Sequence, residues 1–243
     1  MKARFARQYA PHSRLTYTSL ANAMPTALHA DVPQPTFDWI YADQALLVVE
    51  KPSGLLSVPG RGADKQDCLI TRVQATYPDA LIVHRLDCDT SGLLVMARGK
   101  DMHRRLSILF QDRQVDKRYV AVVTGKLAQP SGEVSLPLLV DWPNRPLHHV
   151  DYENGKPSLT RYRVLNYDAE KHCSRVELIP ETGRTHQLRV HMQALGHPIL
   201  GDSLYADPTT RALANRLLLH AEYLSFAHPE SGETLRFDRP PAF

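Results

Sequence analysis

The sequence predicts an α+β fold built on a largely antiparallel mixed sheet. Two observations carry that prediction. Short strand-like runs outnumber amphipathic helical stretches, and the two kinds follow no regular strand–helix alternation of the sort that builds a doubly wound parallel sheet. No internal repeat and no low-complexity tract interrupts the pattern.

Taken in order, the chain turns β-like from Trp39, and Leu46-Leu47-Val48-Val49 reads as a strand closed by the turn Lys51-Pro52-Ser53-Gly54. Asp67 suits the N-cap of a helix that buries Ile70, Val73 and Tyr77 and stops at Pro78. Ile82-Val83 and Leu93 to Ala97 flank the polar knot His84 to Gly92, a strand–loop–strand pattern. Met102, Leu106 and Leu109-Phe110 recur at helical spacing over Lys100 to Arg113, with Arg104, Arg105 and Arg113 turned outward. Tyr119 to Val123 is a strand, and Asp141 to Pro146 is too Pro-rich for a regular element. Strands follow at Thr160 to Asn166 and Arg175 to Ile179. Gly183-Arg184 turns the chain into a helix capped by Thr185, ending near Leu195 with Gly196 at C′ and burying Leu188, Met192 and Leu195. Leu217 to Leu219 and Tyr223 to Ala227 are strand-like, before a turn at Pro229 to Gly232.

The 243 residues suffice for one large domain or two small ones with a real core. At 43% hydrophobic and 23% charged, with a net charge of +3, the composition is that of an ordinary globular protein compatible with a nucleic-acid partner. The three cysteines form no CxxC pair, which fits a reducing compartment rather than a disulfide framework or structural zinc. No apolar run approaches the roughly 18 residues that span a bilayer, so the expectation is a soluble, cytoplasmic protein. The absence of a coiled-coil seam points to a monomer. Residues 1–36 stand apart: Lys2, Arg4, Arg7 and Arg14 precede the first acid, Asp31. A basic, flexible tail, an organellar transit peptide and a solvated leader without a role all fit that segment.

The chemistry centres on His84-Arg85-Leu86-Asp87-Cys88-Asp89-Thr90-Ser91-Gly92. Charges between two buried strands cost free energy unless they are paired or functional. Either Asp87 or Asp89 could be an ordinary turn former bonding nearby amides, a reading that suits Asp89, followed by Thr, Ser and Gly; the motifs elsewhere in the chain favour chemistry for Asp87. Arg189 lies on the flank of an apolar helical stripe, where it needs an anionic partner. It is assigned to hold Asp87 ionised through a bidentate pair. His186 and His191, five apart, sit roughly 140° from one another on a helix, unlike the i, i+4 pair of a zinc helix. No metal is therefore expected.

Four motifs occur in order: Lys51-Pro52-Ser53-Gly54, the HRLD segment, Lys117 to Ala121, and Thr182 to His191. Together they resemble the pseudouridine synthases that act on ribosomal and transfer RNA, from about Phe37 to the C-terminus. Asp141 to Pro146 (DWPNRP) and Gly196 to Asp202 (GHPILGD) narrow the resemblance to the large-subunit branch of that family. It implies the pseudouridine synthase fold over residues 37–243: a mixed sheet bent around a central cleft, flanking helices, and no separate RNA-binding module. The implied partners are RNA, namely a 23S rRNA hairpin loop and a tRNA anticodon stem-loop. The implied reaction breaks the N1–C1′ bond of a uridine, turns the base and rejoins it through C5, an isomerisation needing no cofactor. The resemblance casts Asp87 as nucleophile, Tyr119 as a stacking partner and general base, and Arg85 as the side chain that fills the gap left by the extruded base. Arg184, Lys51 and His186 are candidate RNA contacts, as is Arg145 beside Trp142. Other readings are a synthase for only one of these RNAs, a noncatalytic RNA-binding protein on the same fold, and a hydrolase pairing Asp87 with His84 or His220.

Overall fold

The computed structural model describes residues 37–243; the basic segment 1–36 lies outside the described residues. In chain order the elements are β1 (Asp38–Ala42), β2 (Leu46–Lys51), α1 (Leu69–Gln74), β3 (Ala80–Ile82), β4 (Ser91–Arg98), α2 (Gly99–Gln111), β5 (Asp116–Thr124) and β6 (Ser131–Ser135). Then come β7 (Leu138–Val140), β8 (His148–Val150), β9 (Leu159–Asp168), β10 (Cys173–Pro180), α3 (Gln187–Ala194), α4 (Pro208–Ala212), β11 (Leu219–Ala227) and β12 (Thr234–Asp238). Ten strands form one sheet in the order β1-β2-β4-β11-β5-β10-β9-β6, with β12 on β11 and β3 on β4. Every pairing is antiparallel except β4 with β11. The strands β7 and β8 make a separate hairpin. This is the expected α+β architecture with a mixed, largely antiparallel sheet.

Period-two alternation divides the interior. Leu47 and Val49 of β2, with Leu94 and Met96 of β4, pack against Leu69, Ile70 and Val73 of α1. Their neighbours Leu46, Val48, Leu93, Val95 and Ala97 pack on the other face with Met102 and Leu106 of α2. Both faces of β2 and β4 are covered, which explains unbroken apolar runs where a one-sided sheet would alternate. A third cluster joins Ala121, Val123, Val176 and Leu178 to Leu188 and Met192 of α3.

The parallel seam between β4 and β11 is only two residue pairs long, Ser91 with His220 and Gly92 with Ala221. Gly92 has φ +116°, and a Cβ there would lie 2.3 Å from the carbonyl oxygen of Ala221. Only glycine fits this approach. The HRLD segment joins β3 to β4 and enters the sheet at this seam.

Several local expectations need correction. Cys68, not Asp67, caps α1, exchanging contacts with Thr71, because Asp67 instead forms an ion pair of 2.6 Å with Arg72. The helix ends at Gln74, and Tyr77 lies beyond it, its ring under Arg98 and against Trp39. The α3 cap is His186, in the left-handed region at φ 56°, rather than Thr185. Leu195 is exposed, since α3 ends before it, while Leu188 and Met192 are buried as expected. Leu217 and Leu218 precede β11 instead of belonging to it.

Candidate active site

The HRLD segment is held from beneath by the turn after β2. Ser57 Oγ donates to the Leu86 carbonyl (2.7 Å) and accepts the Leu86 N–H (3.2 Å). The Gly54 N–H donates to Cys88 O (2.9 Å), and Ser53 Oγ to Asp89 O (2.7 Å). Lys51 is fully buried, and its Nζ donates to the carbonyls of Pro52, Leu55 and Cys88 at 2.7–2.9 Å. Burial pulls its pKa down to about 8, against the opposing pull of the neighbouring Cys88, Asp89 and Asp87. The expectation that Lys51 meets RNA phosphate is thereby overturned. All three ammonium hydrogens are committed to backbone carbonyls, and the side chain shapes the loop that carries Asp87.

That loop forms one wall of a cleft of about 740 Å³, lined also by Tyr119, Arg85, Arg184, His186 and Arg189. The volume lies in the range of small-molecule sites. The Asp87 side chain is 25% exposed, with Arg189 Nη1 3.5 Å from Oδ2 and His186 Nε2 4.0 Å from Oδ1. Tyr119, midway along β5, reaches the cleft from the sheet floor. Burial, and then the charge of Asp87, push its phenol well above the ordinary tyrosine range.

Arg189 is 2% exposed, more deeply buried than its helical position suggested. The expected bidentate pair with Asp87 is corrected: the fork engages Asp202, with Nε to Oδ2 at 2.8 Å and Nη2 to Oδ1 at 2.6 Å. Asp87 receives a single long contact from the remaining Nη1. Asp202, itself fully buried, also accepts the N–H groups of Leu204 and Tyr205. Burial works against the guanidinium charge, but Asp202 and Asp87 outweigh it and leave the pKa raised. Asp202 was in plain view inside GHPILGD, but a spacing of thirteen across a loop carries no pairing signal.

His186 is recessed, its side chain only 9% exposed. Its Nδ1 lies 2.6 Å from the Tyr205 hydroxyl and its ring edge-on to His148 at 5.3 Å. Burial is the main force lowering its pKa, with Arg189 and His148 adding to it and Asp87 and Asp202 opposing. It therefore belongs beside the carboxylate rather than among surface RNA contacts. Arg85 and Arg184 are exposed at the cleft. Arg145 lies on the exposed loop before β8, its guanidinium 4.4 Å over the Trp142 ring. That loop reaches the site through His148, whose N–H donates to the Tyr205 hydroxyl.

The other two histidines considered as partners of Asp87 are engaged elsewhere. His84 Nε2 accepts the Val95 N–H at 3.0 Å with its ring stacked on Phe110. His220 bridges Ser91 Oγ and the Arg239 carbonyl, at 2.8 Å each.

The profile of the family described as RNA pseudouridylate synthase matches residues 45–194, which span the HRLD segment, β5 and α3. The chain is 52% identical over 210 residues to the dual-specificity RNA pseudouridine synthase RluA of Escherichia coli strain K12, covering 86% of this chain and 95% of that relative. It is also 52% identical over 198 residues to the enzyme of the same name from Yersinia pestis, covering 82% and 96%. Among solved structures, human RNA pseudouridylate synthase domain containing 1 superposes with a TM-score of 0.71 at 31% identity, over 85% of this chain and 84% of that one. A carboxylate on a clamped loop, a buried arginine and a cleft-floor tyrosine thus occur in a chain with such relatives at both levels, and the chain belongs to the RNA pseudouridylate synthase family.

Proposed function

We propose that this RNA pseudouridine synthase has dual specificity, acting on a large-subunit rRNA hairpin loop and on a tRNA anticodon stem-loop, with Asp87 as its reacting carboxylate. The range of substrates is supported by relatives of about 52% identity that carry dual specificity in their name. The observation that carries the role of Asp87 is its place. It is a quarter exposed on a backbone-clamped loop in an open cleft, with a buried guanidinium against one oxygen. Whether it attacks the ribose or the base ring, or removes a proton, Asp87 must remain ionised to act.

The target uridine has to leave its stack, at a cost of a few kcal/mol that a loop target reduces. Arg85, exposed on the same loop as Asp87, has a flat guanidinium suited to the vacated space. Tyr119 offers a ring on which the extruded base stacks, and its raised pKa keeps the hydroxyl protonated. Arg184 at the rim supplies charge for the phosphate backbone, and Arg145 with Trp142 forms a further cationic and aromatic surface. The reaction rearranges one nucleotide without changing its composition, so the chain's own residues suffice and no cofactor is invoked. Recognition is carried by the catalytic unit itself, acting as a monomer. The three free cysteines fit a reducing, cytoplasmic setting.

The test is tritium release from RNA labelled at uridine C5, with an rRNA hairpin and a tRNA as parallel substrates and Asp87→Asn as the blank. Release from both RNAs, abolished by the substitution, is expected. Release from one RNA alone would reject dual specificity, and undiminished release by Asp87→Asn would reject the role of that carboxylate.

A further inference from the structure

Tyr205 takes no part in the chemistry described above, yet it touches both side chains that face Asp87. Its ring lies 5.2 Å from the guanidinium carbon of Arg189, and its hydroxyl is 2.6 Å from Nδ1 of His186. The residue is 7% exposed. The backbone N–H of His148 donates to the same hydroxyl oxygen at 2.9 Å. The phenol therefore already accepts one bond, and its own hydrogen needs an acceptor. Among the described residues, the acceptor within its reach is His186 Nδ1. Were Nδ1 protonated instead, two donors would converge on the oxygen and a buried O–H would be stranded, an arrangement that costs more than it gains. Tyr205 is thus the donor, and the neutral imidazole carries its hydrogen on Nε2. That atom lies 4.0 Å from Oδ1 of Asp87.

We propose that Tyr205 is a positioning residue: its hydroxyl locks His186 in the Nε2–H tautomer and so aims a donor at Asp87 Oδ1, while Arg189 holds Oδ2. This rests on the reading of Asp87 as the reacting carboxylate. The present separation is longer than a hydrogen bond, and contacts of this kind tighten when substrate enters. With a donor on each oxygen, the plane of the carboxylate is fixed toward the nucleotide. Two further facts agree. Burial pushes the Tyr205 phenol up to about 12, so it keeps the proton it must donate. Burial, Arg189 and His148 hold His186 toward the neutral form against the pull of Asp87 and Asp202, so its tautomer matters at neutral pH.

Tyr205→Phe leaves the ring against Arg189 and removes only the hydroxyl. The expected result is a kcat reduced about tenfold, the worth of roughly one hydrogen bond, with KM within about twofold. A merely structural tyrosine would give a deficit independent of pH. Here the deficit shrinks on acidification, because the imidazolium carries hydrogen on both nitrogens and presents Nε2–H without help from Tyr205. The ratio of variant to wild-type kcat therefore rises as pH falls through the His186 titration. In a His186→Gln background, whose amide N–H needs no tautomer, Tyr205→Phe should cost under about twofold. A constant ratio, or an equal loss in both backgrounds, overturns the proposal. So does an Nδ1–H signature in the ¹⁵N imidazole resonances of His186 in the free wild-type enzyme at neutral pH, where Nε2–H is expected. That spectrum needs no turnover, so its failure is distinct from failure of the synthase reading, which would appear as wild-type enzyme that does not isomerise uridine.

Discussion

Arg189 and Asp202 are both almost wholly removed from water, and each is tolerable there only because of the other. A guanidinium has five N–H donors in a fixed fork. Two of its nitrogens bind Asp202 and a third turns toward Asp87, so one arginine serves a structural carboxylate and a reactive one. Asp202→Asn keeps the shape but removes the balancing charge and sets an amide N–H or a weaker oxygen against the fork. The expectation is a loss of about 3–5 kcal/mol in stability, the cost of breaking one half of a buried pair. A fall in kcat should accompany it, because the guanidinium will shift toward the remaining carboxylate. Urea denaturation and single-turnover rates on the same preparations measure both. Wild-type stability in Asp202→Asn would mean that Asp202 is not what sustains the buried charge. The sequence marked Arg189 as a residue in need of an anion, which was correct, and named the wrong principal anion. Nothing in a helix followed by a loop tells which of two acids, thirteen or 102 residues away, will take the fork.

Among the elements, β4 has the most asked of it. Its apolar residues face α1 and α2 alternately, its N-terminal end carries the HRLD loop, and its first two residues form the seam to β11. Gly92→Ala should be among the most damaging single substitutions in the chain. The φ of +116° is unsuited to any side chain, and the new methyl would meet backbone atoms of Ala221, which cannot rotate away. A destabilisation of at least about 3 kcal/mol is expected, read as a lowered Tm or as insoluble protein. A soluble Gly92→Ala variant with unchanged Tm would show that the seam can open without cost. The strands β2, β4 and β5 were legible as short apolar runs, and the helix of Gly99–Gln111 by its 3.6-residue period, whereas β6, β7, β8 and β12 are too short or carry too few apolar residues to announce themselves. The caps were not legible either. Asp67 and Thr185 are good capping residues by type, but Asp67 is drawn off by Arg72, and the turn at 183–186 places His186 in the left-handed region that begins α3. Residue type alone does not say which of several nearby partners an Asp or Thr side chain will take.

The whole molecule keeps several histidines neutral by burial, and that gives its stability a direction in pH. Burial, assisted by the charge of Lys117, holds His84 down to about 3 against an ordinary value of 6.5. His191 and His220 are also lowered, mainly by burial. For a group whose pKa is depressed in the folded state in this way, the unfolded chain takes up the proton first. The contribution is therefore fully present above about pH 6.5 and is lost as pH falls toward 3. From His84 alone the loss by pH 4.5 is roughly 2.5 kcal/mol. Urea unfolding at pH 7 and pH 4.5 should show at least that difference, and His84→Gln, which keeps an acceptor for the Val95 N–H without a titrating ring, should remove about that much of it. An unaltered pH dependence in His84→Gln would place the acid sensitivity elsewhere. The loss also bears on function, because a protonated Nε2 would set one donor against another at Val95, at the root of the loop that carries Asp87. Reversible loss of isomerase activity in acid should then follow the loss of stability, and His84→Gln should move both together.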